Sequence, residues 1–299
     1  MDPELEAFIP FLPPLDLADP VAARKVFAER AASVPAPDTS GLEIEDRVVP
    51  ADPGVPVRIY RPHGALGGAL VWLHGGGGVF GDLDTEHPWA ARLASQSGAV
   101  VVSVAYRLAP EHPFPAALDD AYAALRWTAG HAGELGVDPA RIAVGGHSAG
   151  GGLAAATALR ARDEQGPPVC FQLLNEAGLD DRPLTWSRRH FTDVPWFDSR
   201  QADAAWRHYL GSSPGTPYAA PARADDLSGL PPAYIATAEL CPNRDEDIAY
   251  ALRLLQAGVS VDLHQWPGTF HGSQAILSAA VSQRQIADVC AAVRRALAP

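Results

Sequence analysis

The chain has 299 residues, 47% of them apolar and 19% charged, enough for a large core and outside the range of disordered chains. A formal net charge of −12 argues against polyanionic partners such as nucleic acid. No apolar run approaches the ~20 residues of a membrane span, so no membrane partner is expected. Asp2, Glu4 and Glu6 stand where a secretory leader would carry Lys or Arg, and the protein is read as cytoplasmic. Cys170, Cys241 and Cys290, far apart and odd in number, make no disulfide framework and no metal knuckle. Cys170 and Cys290 are expected to be buried in a strand and a helix.

Residues 1–40 are rich in Pro and Ala, with one amphipathic stretch over 21–32, and form an arm that must lie on something else. Two β-like runs follow at 42–49 and 57–60, separated by the turn-forming Asp52-Pro53-Gly54. From residue 69 onward β runs at 69–73, 99–104, 141–145, 169–174, 233–238 and 259–264 alternate with helical stretches at 88–95, 117–131, 150–162, 244–256 and 274–297. That rhythm predicts an α/β fold with a mostly parallel sheet covered on both faces, and ligands at the carboxyl ends of its strands. A long segment rich in Trp, Pro, Asp and Arg (Trp186, Trp196, Trp206), with a helical patch over 201–209, interrupts it. The expected division is an arm over 1–40, a core over 41–179 and 221–299, and an insertion over 180–220 that joins the arm as a cap.

Gly146-His147-Ser148-Ala149-Gly150 lies between an apolar run and an alanine-rich helical pattern. Strand, sharp turn and helix with a serine at the apex is the layout of a nucleophile elbow. His74-Gly75-Gly76-Gly77-Gly78 follows the strand at 69–73. Two amides of this glycine run, with that of Ala149 at a helix N-terminus, can hold an oxyanion. A phosphate loop is disfavoured, because no Lys-Ser/Thr follows and no G-x-G-x-x-G opens a helix. His271 follows the last strand and comes after the serine in chain order, which suits a general base.

These motifs, with YRLAPEHPFPAALDD from Tyr106, RDEDIAYALRLLQAG from Arg244 and PGTFHG from Pro267, resemble the hormone-sensitive-lipase-like carboxylesterases of the α/β-hydrolase fold. The resemblance covers nearly the whole chain. It implies an α/β-hydrolase fold with a helical cap, Ser148 as nucleophile, His271 as base, and Gly76, Gly77 and Ala149 as oxyanion donors. It also implies a structural role for 106–120, in which Arg107 and Glu111 are expected to pair. Many relatives form homodimers through the sheet edge. No cofactor is required.

The chain departs from the family where the acid should stand. Cys241 occupies the position of the usual aspartate, thirty residues before His271, and Asn243 stands where leucine is usual. His147 replaces an aspartate beside the serine, Gly78 replaces a bulky residue, and Asn175-Glu176 end the strand at 169–174 in an unusual way. Strand ends converge, so His147, Asn175, Glu176, Cys241, Asn243 and Gly78 are expected to share one neighbourhood. Changes concentrated there suggest a rebuilt site, by divergence or by engineering. Glu176 taking over as acid, Asp245 or Asp247 serving instead, or a slow Ser–His pair with no acid all stay open. A nucleophilic Cys241 ionised beside His271, and a metal held by His147, Glu176, Cys241 and His271, are further readings. The expected activity is hydrolysis of small apolar carboxylic esters of short to medium acyl chain through an acyl-Ser148 intermediate. The alternative is an impaired or repurposed hydrolase scaffold that binds a ligand, transfers acyl groups or runs another non-hydrolytic reaction.

Overall fold

A computed structural model describes residues 1–33 and 36–298. Residues 34–35 of the expected arm lie outside the described residues. Eight strands are present among the described residues: β1 (Leu42–Val49), β2 (Val55–Pro62), β3 (Ala69–Leu73), β4 (Val100–Val104), β5 (Ile142–His147), β6 (Phe171–Asn175), β7 (Ala233–Leu240) and β8 (Val261–Phe270). The helices are α1 (Pro3–Glu6), α2 (Pro20–Ser33), α3 (Leu83–Ser97), α4 (Ala116–Gly130), α5 (Ala132–Leu135), α6 (Ala149–Asp163), α7 (Trp186–His190), α8 (Ser199–Leu210), α9 (Arg244–Gln256) and α10 (Ala280–Leu297).

One sheet runs in the order β1-β2-β4-β3-β5-β6-β7-β8, antiparallel at β1, β2 and β4 and parallel from there on. The central strands are apolar on both sides because both faces are covered. Along β3, Leu70 and Trp72 point into the layer built with α3 and α10, while Val71 and Leu73 point into the layer built with α4, α6 and α9. That is the period-two alternation of a strand between two helical layers. The α6 run of Gly and Ala lets this helix lie close on the sheet, and nearly all of it is buried.

Two element boundaries differ from the sequence reading, each for a local reason. α3 begins five residues before the expected start at 88. Asp82 accepts from the amides of Asp84 and Thr85, Thr85 returns a bond to the Asp82 amide, and Pro88 is accommodated inside the helix. β8 continues to Phe270, through Trp266-Pro267-Gly268, where a loop is expected; an irregularity at Ala238/Leu240 brings Leu240 opposite Phe270. Cys290 is buried in α10 as expected, whereas Cys170 lies just before β6 and is half-buried. No described helix is long and apolar enough to cross a membrane.

The arm packs against the segment between β6 and β7. Leu17 and Ala23 share an apolar cluster with Phe197, Ala202, Ala204 and Ala205, and the Leu17 amide donates to Gln201 Oε1 at 2.7 Å. Arg24 of α2 donates to the carbonyls of Val79 and Ala109 and to the Glu111 carboxylate. Arg107 instead pairs with the buried Asp120 at 2.8 Å. The expected Arg107–Glu111 pair is therefore not formed; each charge finds its partner on a helix, Asp120 on α4 and Arg24 on α2.

Candidate active site

Parallel pairing sets the ends of β3, β5, β6, β7 and β8 side by side. Leu73 lies opposite Gly146, His147 opposite Asn175, and Leu240 opposite Phe270. The next residue after each strand is thus His74, Ser148, Glu176, Cys241 and His271, all at one end of the sheet, and Ser148, Glu176 and Cys241 converge on the His271 ring. Ser148, Glu176, Cys241 and His271 are all buried.

Ser148 sits between β5 and α6 with φ 57° and ψ −119°, a strained conformation for a residue with a side chain, which costs about 1–3 kcal/mol. Its amide donates to the Asn175 carbonyl at 2.8 Å and its carbonyl accepts from the Gly178 amide at 3.0 Å, so neighbouring backbone holds the strain. Gly150 is obligatory on the far side of the turn, because a Cβ there would run into the Leu73 and His74 carbonyls. Gly150→Ala is expected to destabilise the fold by about 1–3 kcal/mol or more, read as a lower midpoint in urea unfolding.

Ser148 Oγ lies 2.9 Å from His271 Nε2. The other ring nitrogen of His271 faces two groups, Cys241 Sγ at 3.1 Å and Glu176 Oε2 at 3.5 Å. The Phe197 ring stacks on the imidazole, with centroids 4.3 Å apart and planes 28° from parallel. Glu176 Oε2 also accepts from the Gly272 amide at 2.7 Å and meets His147 Nε2 at 3.2 Å. The Asn243 side-chain Nδ2 donates to the Glu176 carbonyl at 3.3 Å, and the Glu176 backbone amide donates to the Ala236 carbonyl. Glu176 itself has φ 51°.

Burial alone would raise the Glu176 carboxyl, but the His147 bond, the two imidazoles and the Gly272 amide hold it below the usual carboxylate range. The Cys241 thiol is pushed well above its ordinary range, first by burial and then by the Glu176 charge. Glu176 is therefore an anion at neutral pH and Cys241 a neutral thiol. This overturns the reading of Cys241 as an ionised nucleophile. The open reading of a slow Ser–His pair with no acid, and with it the expectation of a rebuilt site, is also corrected, because the buried Glu176 carboxylate stands 3.5 Å from His271 Nδ1. Asp245 is directed elsewhere, accepting from the Ser187 amide and from Arg244, and buried Asp247 is pushed well above the carboxylate range by burial and by Glu246.

Burial drives the His271 imidazole down to about 4, against an upward pull from Glu176 and a further downward push from His147. A base must be neutral to accept a proton, so activity is present above this value and lost as pH falls through it. The acid limb of kcat/KM is accordingly expected below the ordinary imidazole value of about 6.5, read from a pH–rate profile on a neutral ester.

The glycine loop is fixed from below. The Tyr106 hydroxyl donates to the His74 carbonyl at 2.7 Å and its ring stacks on His74 at 4.1 Å. Gly76 and Gly77 take φ values of 109° and 63°, and the Val79 amide returns to the Gly76 carbonyl. The Ala149 amide opens α6, where the first amides have no partner within the helix.

Two cavities meet at Ser148, and Gly77, Ser148 and Phe197 line both. The smaller, about 50 Å³, is walled by Gly78, Leu153, Trp206, Tyr209 and Asn243. The larger, about 290 Å³, runs past His147 and His271 to Phe27, Phe80, Trp89 and Trp196. A Cβ on Gly78 would touch the Tyr209 ring at 3.4 Å, so the missing bulk at 78 is occupied by an aromatic of the insertion. Of the residues expected to share a neighbourhood, His147, Asn243 and Gly78 line the cavities, Glu176 and Cys241 stand at His271 Nδ1, and Asn175 offers its backbone carbonyl to the Ser148 amide. Of the three tryptophans noted in the insertion, Trp196 and Trp206 reach the cavities while Trp186 is exposed beside Arg244. The sequence reading missed Phe197, whose one signal is its place beside Trp196, and Glu86 on α3, which carries none. His147 Nε2, Glu176 Oε2 and His271 Nδ1 lie within 4.8 Å of one another, so three of the four residues named for a metal converge without Cys241.

The chain was compared with known proteins. A family model described as alpha/beta hydrolase fold matches residues 70–275. Carboxylesterase NlhH of Mycobacterium tuberculosis is 46% identical over 245 residues, which is 77% of this chain and 75% of that protein. Esterase LipI of the same organism is 46% identical over 232 residues, 75% of this chain and 72% of that protein. Among solved structures, a bacterial heroin esterase superposes with a TM-score of 0.97 at 46% identity, over 100% of this chain and 98% of that one. Esterase LipW from Mycobacterium marinum gives 0.93 at 41% identity, over 100% and 96%. With the register-built crevice at its strand ends, the chain belongs to the hormone-sensitive-lipase-like carboxylesterases of the α/β-hydrolase fold.

Proposed function

We propose that the protein hydrolyses carboxylic esters of short acyl chain through an acyl-Ser148 intermediate, with Glu176 as the acid of the triad. The observation that carries this is the 2.9 Å contact between Ser148 Oγ and His271 Nε2 at a strained strand-to-helix turn. His271 takes the serine proton as Oγ attacks the carbonyl carbon, and the amides of Gly76, Gly77 and Ala149 receive the negative oxygen. The same imidazole then protonates the departing alkoxide and later activates the water that releases the acid. Throughout, the Glu176 carboxylate stabilises the imidazolium, which a neutral thiol at Cys241 does not.

His271 lines only the larger cavity, and it must reach the leaving oxygen. The alcohol portion therefore occupies the larger cavity and the acyl group the smaller one. With only about 50 Å³ available, kcat/KM on p-nitrophenyl esters is expected to fall steadily from acetate and butanoate to octanoate and beyond. Leu17 of the arm and Phe197 of the insertion both line the larger cavity, which supports a cap built from 1–40 and 180–220. A fluorophosphonate probe tests the reading: rapid labelling at Ser148 with loss of ester turnover is expected, and an unlabelled, inactive protein would favour the binding-scaffold alternative.

A further inference from the structure

The larger cavity contains one group that ester hydrolysis does not use. Glu86, in the first turn of α3, lines it, and its Oε1 accepts from the indole N–H of fully buried Trp72 at 2.6 Å. Among the described residues its Oε2 has no hydrogen-bond partner, and no arginine, lysine or histidine pairs with it. Arg92 lines the same cavity without an ion pair to Glu86. The charged groups that act on the carboxyl are His147 and Asp82, with opposite signs, while burial raises it to about 7. Aromatic faces complete the surroundings. Phe27 and Phe80 stack at 4.0 Å, Trp196 leans on Phe27 at 5.9 Å, and Trp89 lies 6.3 Å from Trp72. A carboxylate fixed by one buried donor, open on its other oxygen and sharing one cavity with the rings of Phe27, Phe80, Trp89 and Trp196 is an arrangement that suits an organic cation.

We propose that Glu86 and this aromatic wall recognise a protonated alkylamine on the alcohol portion of the ester. The proposal rests on the hydrolytic reading above, which places the alcohol portion in the larger cavity. An ammonium N–H donates to Glu86 Oε2, and the N-alkyl groups, which carry much of the charge, lie against the rings. The net charge of −12 favours approach of a cation.

The test compares 2-(dimethylamino)ethyl acetate with its neutral isostere 3-methylbutyl acetate at pH 8. The ratio of their kcat/KM values in the wild-type protein is expected to drop about 10- to 100-fold in Glu86→Gln, which keeps an acceptor for Trp72 and removes the charge. A ratio unchanged within twofold, with the neutral ester still turned over, overturns the amine site and leaves the esterase reading standing. Hydrolysis of neither ester by the wild-type protein overturns both. A measurement on the wild-type protein alone guards against a misfolded variant. 2-(Dimethylamino)ethanol, which is protonated at pH 8 and carries the N–H, is expected to inhibit neutral-ester hydrolysis competitively at least about 10-fold more tightly than its neutral isostere 3-methylbutan-1-ol. Equal inhibition by the two contradicts the proposal.

Discussion

Ser148→Ala is expected to lower kcat on p-nitrophenyl acetate by about 10⁶ while leaving the urea-unfolding midpoint at or above that of the wild type. The hydroxyl is the atom that forms the acyl bond, and nothing else in the crevice replaces it. Cys241 is fully buried, protonated, and on the Nδ1 side of His271 rather than the Nε2 side. His271→Ala is expected to cost about as much, and the double variant little more, because the two residues act as one unit. Activity above water that survives in all three variants would come from the amides of Gly76, Gly77 and Ala149. The fold does not depend on the hydroxyl, whose single side-chain partner among the described residues is His271 Nε2.

Glu176→Gln is expected to lower kcat by about 10⁴, the cost of neutralising a triad acid, and Cys241→Ala by less than about tenfold. The two substitutions separate charge from proximity. Cys241 is nearer to Nδ1, at 3.1 Å against 3.5 Å, yet only the carboxylate can stabilise a full positive charge in a buried site. The glutamine side chain retains an oxygen for the Gly272 amide, so the backbone after β8 stays in place while the charge is lost. Restoring the family's residue with Cys241→Asp is not expected to raise activity. A second buried carboxyl beside Glu176 would face like charge and stay protonated.

The architecture was readable from period and punctuation: the alternation of short apolar runs with helical stretches predicts the parallel sheet, and GHSAG marks the Ser148 turn. What the residue string does not carry is register. Only the pairing of His147 with Asn175 and of Leu240 with Phe270 puts Glu176 and Cys241 on the same imidazole, so the acid stayed open among several carboxylates. Glu86 escaped notice because its partner is Trp72, on a strand that reads as ordinary core. The resemblance implies a pair of Arg107 with Glu111, but Asp120 takes Arg107 and Arg24 takes Glu111 once α4 and α2 are folded. The start of α3 was set too late because Pro88 reads as a helix opening, whereas the Asp82 cap sets it.

The role of Glu176 is tested most directly in the phosphonylated protein, where a covalent adduct on Ser148 mimics the tetrahedral state and His271 is an imidazolium. Proton NMR of this adduct is expected to show one strongly deshielded Nδ1–H resonance. The signal should persist when Cys241 is replaced by Ala and vanish when Glu176 is replaced by Gln. Loss of the resonance with the Cys241 substitution, and its survival with the Glu176 substitution, would contradict Glu176 as the acid.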